Sequence, residues 1–305
     1  MITNNSFLDG RIHRQMRKHL LETFDDIYIL DLHGSSKKGE KAPDGSKDEN
    51  VFNIQQGVSI SIFIRKTGDK KGLGSVHHSE LYGKQEDKFK VLNESELRTI
   101  EWKKLDYIPN HYFFVPKDFS GNAEYEKGFK VDELFKTYNT GTATGKDSVF
   151  VQMTIEDMAK TLQFLDKVYL EDKIADYLYR PFDVRKMPYD SASIQRLRMN
   201  VMDHMRKDNV ALVTCKKQTS FNFQHILVSN VVTDRCAVSL QTGEVGYVFP
   251  LYLYIKQNEK IPNLDKVVWS TINKTVGETT PEDIFDYIYA VLHSPNYRGK
   301  YKEFL

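Results

Sequence analysis

The chain has 305 residues, 40% of them hydrophobic and 28% charged, which is enough apolar surface for two ordinary domains or one large one with insertions. Aromatic residues make up 12%, which excludes wholesale disorder, and two cysteines (Cys215 and Cys236) exclude a disulfide framework and a Cys-rich zinc site. The formal net charge of +1 says nothing of an acidic partner, so any such signal must be local.

No apolar run reaches the roughly 20 residues of a membrane span, and the N-terminus lacks the basic-then-apolar pattern of a signal peptide. These features predict a cytoplasmic α/β protein with no membrane partner. The segment 2–8 reads as the end of a strand and its loop. A basic helix over 11–24 follows, with Ile12, Met16, Leu20 and Phe24 at helical spacing and Arg11, Arg14, Arg17 and Lys18 on a solvated face. A buried strand is expected at 27–32 and a mobile polar surface loop at 33–48. Residues 58–65 alternate as a strand, and the polar stretch 66–75 suggests a domain boundary near residue 75.

Beyond it the pattern predicts helices at 94–104, 131–138, 155–165 (capped by Thr154) and 192–205. A final helix should open at Pro281 behind Thr280 and end near His293. Extended segments are expected at 111–115, 148–153, 210–214, 223–228 and 248–255.

Several chemical motifs fail. The glycine loops at 34–39 and 141–145 lack the Lys-Ser/Thr ending or the spacing of a phosphate-binding loop, and 72–74 lacks the third glycine of a dinucleotide fingerprint. His77-His78 has too few companions for a metal site and reads as a surface pair, so no metal is expected.

Four strings are more specific. They are 2–8 with the helix and strand after it; Asn50-Val-Phe-Asn-Ile-Gln-Gln-Gly57; Tyr179-Arg-Pro-Phe-Asp-Val-Arg185, followed by Arg196 and Arg198; and Phe249-Pro-Leu-Tyr252 with Ser294-Pro-Asn-Tyr-Arg298. Together they resemble, from end to end, the C-terminal part of gamma-class adenine-N6 DNA methyltransferases of the type ISP and type IIG restriction-modification kind. The resemblance implies an α/β fold. Residues 1–75 would be a remnant of a Rossmann-like methyltransferase sheet, and 76–305 a mixed α+β target-recognition domain. It also implies double-stranded DNA as partner. Phe52, matching the family's Val-Phe motif, would be the residue that stacks on the flipped-out adenine, where an aromatic face replaces lost base stacking. From spacing alone, Phe52 reads more readily as a core residue at a strand entry.

The family's S-adenosylmethionine-binding glycine loop and its Asn-Pro-Pro-Tyr loop have no counterpart here; no two prolines are adjacent. The chain is therefore read as a fragment that takes no cofactor alone and is inactive alone. Its partner would be a missing N-terminal catalytic half. The competing expectations are a non-catalytic DNA-binding specificity subunit and an inactive gene fragment.

Residues 177–217 hold nine Lys and Arg against four Asp, the local basic concentration expected of a DNA footprint. The expected DNA contacts are Arg185, Arg196, Arg198, Lys216 and Lys217, with Thr144 and Lys146 from the Gly/Thr loop. Arg180 is expected to be held internally by Asp183.

Overall fold

A computed structural model describes the chain apart from residues 70–71, 108–110, 168–169, 219–223, 242, 256–258, 303 and 305, and apart from the side chain of Arg11. It divides into two compact units, Met1–Ser120 and Gly121–Leu305. The fold is mixed α/β, as expected.

In the first unit, strands β1 (Ile2–Asn4), β2 (Asp26–Asp31), β3 (Val58–Ile64), β4 (Ser75–Glu80) and β5 (Lys103–Leu105) form one sheet in the order β1-β3-β2-β4-β5. Helices α1 (Ser6–Asp9), α2 (Arg14–Thr23) and α3 (Gln85–Glu94) accompany it. Strand side chains alternate between faces. On one face Ile27, Ile29 and Val76 pack with Phe7, Leu8, Leu21 and Phe114; on the other, Leu30, Val58 and Ile60 pack with Val51, Leu92 and Trp102. A strand buried on both sides must be apolar throughout, which is why 27–30 reads as an unbroken apolar run.

The compact unit runs to Ser120, well past the boundary expected near residue 75. The physical reason is β4, which pairs in parallel with β2 from Asp26↔Ser75 to Asp31↔Glu80. His78 on β4 is buried and His77 is stacked on Tyr28 at 4.6 Å, so the two histidines are sheet residues and not a surface pair. A helix occupies 85–94 in place of the one expected at 94–104, and no strand forms at 111–115.

Helix α2 is rotated from its expected phase. Ile12 is 80% exposed and Met16 is exposed, while Arg17 is fully buried. Its guanidinium donates to the carbonyls of Phe7, Gly10, His111 and Tyr112 at 2.7–2.8 Å. Burial pulls its pKa down to about 10. A guanidinium bonded to this many carbonyls can stand where an aliphatic side chain would, because its buried donors are matched by backbone acceptors.

In the second unit, β6 (Asn139–Thr140), β9 (Ala211–Cys215), β10 (Ile226–Ser229) and β12 (Gly246–Pro250) form a sheet in the order β10-β9-β12-β6. Strands β7 (Ile174–Arg180), β8 (Asp183–Pro188) and β11 (Val232–Thr233) form a second sheet, β11-β7-β8, while β13 (Tyr252–Tyr254) pairs with β14 (Lys260–Pro262). The helices are α4 (Asn122–Tyr125), α5 (Val131–Leu134), α6 (Asp147–Phe150), α7 (Ile155–Phe164), α8 (Met199–Met205), α9 (Lys266–Val276), α10 (Pro281–His293) and α11 (Pro295–Lys300).

The β9–β12 sheet is covered on both faces. Ala211, Val213 and Val248 pack with Met202 and Met205 of α8 and with Tyr177 and Met187 of the β7–β8 hairpin. Leu212 and Phe249 pack with Leu134, Ile284, Phe285 and Ile288 on the other side.

Thr154 caps α7 through Asp157 N–H, and Thr280 and Asp283 form a reciprocal capping box at α10, both where the sequence placed them. The strand expected at 148–153 is instead the short helix α6, and the helix expected over 192–205 is confined to α8. The strand expected at 223–228 is seen as β10, with Phe223 outside the described residues. Among the described residues, no helix is long and apolar enough to cross a membrane, and no cluster of three His, Cys, Asp or Glu could hold a metal.

Candidate nucleic-acid interface

Each unit holds one group of candidate residues. In the first, they gather beyond the carboxyl end of β2. Asp31 Oδ1 accepts the His33 N–H and the Asn5 amide, each at 3.0 Å. His33 Nδ1 meets Glu40 Oε1 at 3.0 Å, its Nε2 lies 3.3 Å from Glu80 Oε1, and its ring stacks on Tyr82 at 3.9 Å. Burial works against the imidazolium, but the carboxylates of Glu40 and Glu80 outweigh it and raise its pKa to about 9.

Asp48 is tied to Lys88 at 2.8 Å with both side chains fully buried, and it accepts the N–H groups of Gly34 (2.6 Å) and Gly83 (2.8 Å). Lys88 Nζ also donates to the carbonyls of Leu32 and Glu49, both at 2.7 Å. Residues 33–35 and Asp48 are buried, whereas 36–47 are exposed apart from Glu40 and Ala42, so the surface loop expected over 33–48 is one fastened at both ends. His33, Glu40 and Asp48 of that loop belong to an internal charge network.

That network displays Phe52. Asn50 fastens the turn from within: Nδ2 donates to Gln56 O (2.6 Å) and Gly34 O (3.1 Å), and Oδ1 accepts the Phe52 N–H (2.9 Å). Gly34 has φ +81°, and a Cβ there would lie 2.4 Å from Asn50 Cα, so only glycine fits beneath the turn. Val51 is buried and anchors the turn, whereas Phe52 is 43% exposed and residues 53–56 are exposed. Phe52 is thus a surface ring on a fastened loop and not a core residue.

In the second unit, the Gly/Thr loop lies against the segment before α8. Ala143 bridges Arg196, and Gln195 N–H donates to Thr144 O. Gly141 is pressed on the backbone of Asp234, where a Cβ would sit 2.5 Å from the carbonyl carbon. Thr144 is buried and gives its hydroxyl to Asp147, so that hydroxyl is turned inward.

The Tyr179–Arg185 string is the β7–β8 hairpin. The Tyr179 ring lies between two guanidiniums, Arg180 at 3.7 Å and Arg185 at 4.5 Å, and its hydroxyl donates to Asp147 at 3.2 Å. Arg185 is paired with Asp183 through Nε and Nη2 (2.8–3.0 Å). Arg180 is held internally, but by buried Asp234 at 3.2 Å and not by Asp183. The strand register shifts between Leu178 and Arg180, and Asp183 pairs with Arg185 instead.

Four of the nine cations of the basic window are thus ion-paired within the chain, Arg180 and Arg185 among them. Lys186 pairs with Asp176, and Lys216 pairs with Asp132 at 2.9 Å while donating to the Tyr138 hydroxyl at 3.0 Å. Those contacts raise the Lys216 pKa. Arg196, Lys146 and Lys217 are exposed, with no side-chain hydrogen bond or ion pair to the described residues. Arg198 is half-buried at the start of α8 with φ +60°, and its Nε has no partner among the described residues. Sequence reasoning missed Asp147 and Asp234 as the carboxylates that organise this end of the unit. The signal available was an aromatic flanked by arginines.

Residues 164–305 match the family model of the Type ISP C-terminal specificity domain. None of the curated proteins matches the chain. Among solved structures, the chain is similar to the protein of the DrdV–DNA complex (22% identity, TM-score 0.73, covering 99% of this chain and 34% of that one). It is similar also to the ATP-dependent Type ISP restriction-modification enzyme LlaBIII bound to DNA (23% identity, TM-score 0.70, 99% and 23%). A third similarity is to a nuclease-deletion mutant of the Type ISP restriction-modification enzyme LlaGI in complex with a DNA substrate mimic (17%, TM-score 0.68, 99% and 32%). The chain thus spans between about a quarter and a third of the length of these proteins. At these identities the likeness is one of fold, and the match to the Type ISP C-terminal specificity domain covers residues 164–305, under half of the chain.

Proposed function

We propose that this chain recognises duplex DNA on behalf of an adenine-specific DNA methyltransferase of a restriction-modification system, acting in the cytoplasm. The observation that carries the reading is the specificity-domain match over 164–305, joined to a fold likeness across the chain to proteins solved with DNA. In this reading Arg196, Arg198, Lys146 and Lys217 supply charge to phosphates, because their cationic groups are not spent on carboxylates of the described chain. Arg185 and Lys216 contribute less, since Asp183 and Asp132 already compensate them.

Phe52 is the stacking residue for an adenine swung out of the duplex, as its exposure on a fastened turn supports. S-adenosylmethionine would donate the methyl group. The residues of this chain do not fit that donor: the glycine loop that would hold it and the Asn-Pro-Pro-Tyr acceptors have no counterpart in the sequence. They would come from a separate catalytic half.

Fluorescence anisotropy of a labelled random-sequence duplex, titrated at several salt concentrations, tests the reading. Four phosphate contacts give a slope of log affinity against log salt of about −3.6, at about −0.9 per contact. Absence of binding at low salt would refute DNA recognition by this chain. In an enzyme completed with a catalytic half, Phe52→Ala slows methylation and leaves duplex affinity unchanged; equal loss of both would refute the stacking role, and unchanged methylation would favour a non-catalytic specificity subunit.

A further inference from the structure

The β7–β8 hairpin ends in a residue that the fold does not use. Phe182 is 98% exposed, and no ring of the described residues touches it. It is the second residue of the two-residue loop closed by the Arg180–Asp183 pair, and its φ is +62°. Turns give that left-handed position to glycine or asparagine, since a Cβ is crowded there. An unpacked, bulky ring in a disfavoured backbone conformation is a cost without a structural return, and such features gather at functional positions.

The stalk behind the ring is stiff. Tyr179 is clasped by Arg180 and Arg185, Arg185 is fixed by Asp183, Arg180 is held by buried Asp234, and the Tyr179 hydroxyl is held by Asp147. Each guanidinium keeps donors in reserve: Nη1 of Arg185 and Nη2 of Arg180 make no hydrogen bond to the described residues. A protein partner for an exposed aromatic is expected to meet an apolar patch. The ring's neighbours along the hairpin are Pro181, Asp183, half-exposed Val184 and the two arginines, so a single aromatic projects beside cationic donors. That combination suits a base face between two phosphates.

Resting on the DNA-recognition reading above, we infer that Phe182 stacks on a base of the bound duplex, inserted there by the rigid hairpin as a contact independent of sequence.

Two variants of the full chain test this. Phe182→Gly suits the left-handed backbone better than phenylalanine, so its thermal midpoint should equal or exceed the parent's while affinity for a random-sequence duplex falls on the order of tenfold. The salt slope should not change, because no charge is lost. Phe182→Trp should bind as the parent does, and the emission of the introduced tryptophan should be quenched as the duplex is bound, with anisotropy of the labelled duplex read on the same sample. Bound duplex without quenching, or parental affinity in Phe182→Gly, overturns the stacking contact and leaves DNA recognition standing. Failure of the parent chain to bind any duplex overturns both.

Discussion

The Lys88–Asp48 pair should govern the stability of the first unit, and Lys88→Met isolates its contribution. The ammonium is fully buried and its three donors are fully matched: Asp48 Oδ1 at 2.8 Å, and the carbonyls of Leu32 and Glu49 at 2.7 Å. Methionine keeps the volume of the chain and removes the charge. Asp48 would then be a buried carboxylate supported only by the N–H groups of Gly34 and Gly83. Breaking a buried pair by removing one partner costs about 3–5 kcal/mol. The two remaining N–H bonds place this case toward the lower end, near 3 kcal/mol. The assay uses the tryptophans: the sequence has two, Trp102 in the first unit and Trp269 in the second. In a Trp269→Phe background, Trp102 fluorescence follows urea unfolding of the first unit alone. With an m-value of about 2 kcal/mol per molar, the midpoint should fall by about 1.5 M. Asp48→Asn should be comparably damaging, and the double variant should be better than the sum of the singles by more than about 1 kcal/mol. A loss under 1 kcal/mol for Lys88→Met, or strict additivity, would refute the argument. Because Lys88 also grips Glu49, next to Asn50, Lys88→Met should loosen the Phe52 turn before the unit unfolds.

The same unit should show a pH dependence centred on His33. Its folded pKa of about 9 exceeds the ordinary histidine value of 6.5, so its contribution is fully present below pH 6.5 and is lost as pH rises through 9; the shift corresponds to about 3 kcal/mol. The urea midpoint followed by Trp102 should decline over that window in the parent and stay level in His33→Gln; parallel profiles would contradict it. For DNA binding, Arg196→Ala should lower the salt slope by about 0.9, while Lys216→Ala should change it by much less, because Asp132 already compensates that ammonium. Equal effects of the two substitutions would show that ion pairing within the chain does not decide which cations reach phosphate.

What was legible in the sequence follows a physical division. Strands β2 and β3 and the caps of α7 and α10 were readable because each is set by local pattern: an apolar run, an alternation, a Thr before acidic residues. The phase of α2 is hidden because periodicity treats arginine as polar, and Arg17 is buried against four carbonyls, two of which (His111 and Tyr112) are distant in the chain. β4 was missed because Ser, His and Glu make it a poor strand by composition; its place is fixed by parallel pairing to β2, which no local window contains. What fastens the ends of the 33–48 segment is hidden from a local window for the same reason. Lys88, Glu80 and Tyr82, which lock it, stand more than thirty residues downstream of where it begins.

The candidate interface shows the limit most clearly. Counting cations located a real concentration of charge at 177–217, but a count cannot see carboxylates outside the window. Asp132, Asp176 and Asp234 all come from beyond it, and each compensates one cation inside it. The candidate contacts left uncompensated by described residues are Arg196, Arg198 and Lys217 inside the window and Lys146 outside it. A cation that has already found a carboxylate must give up that pair, in whole or part, before it can release a counterion from DNA. Salt dependence should therefore follow the unpaired cations and not the nine the sequence counts. A slope near −8 for the parent chain would mean that the paired cations exchange carboxylate for phosphate on binding, and a slope near −3.6 would mean that they act as scaffold.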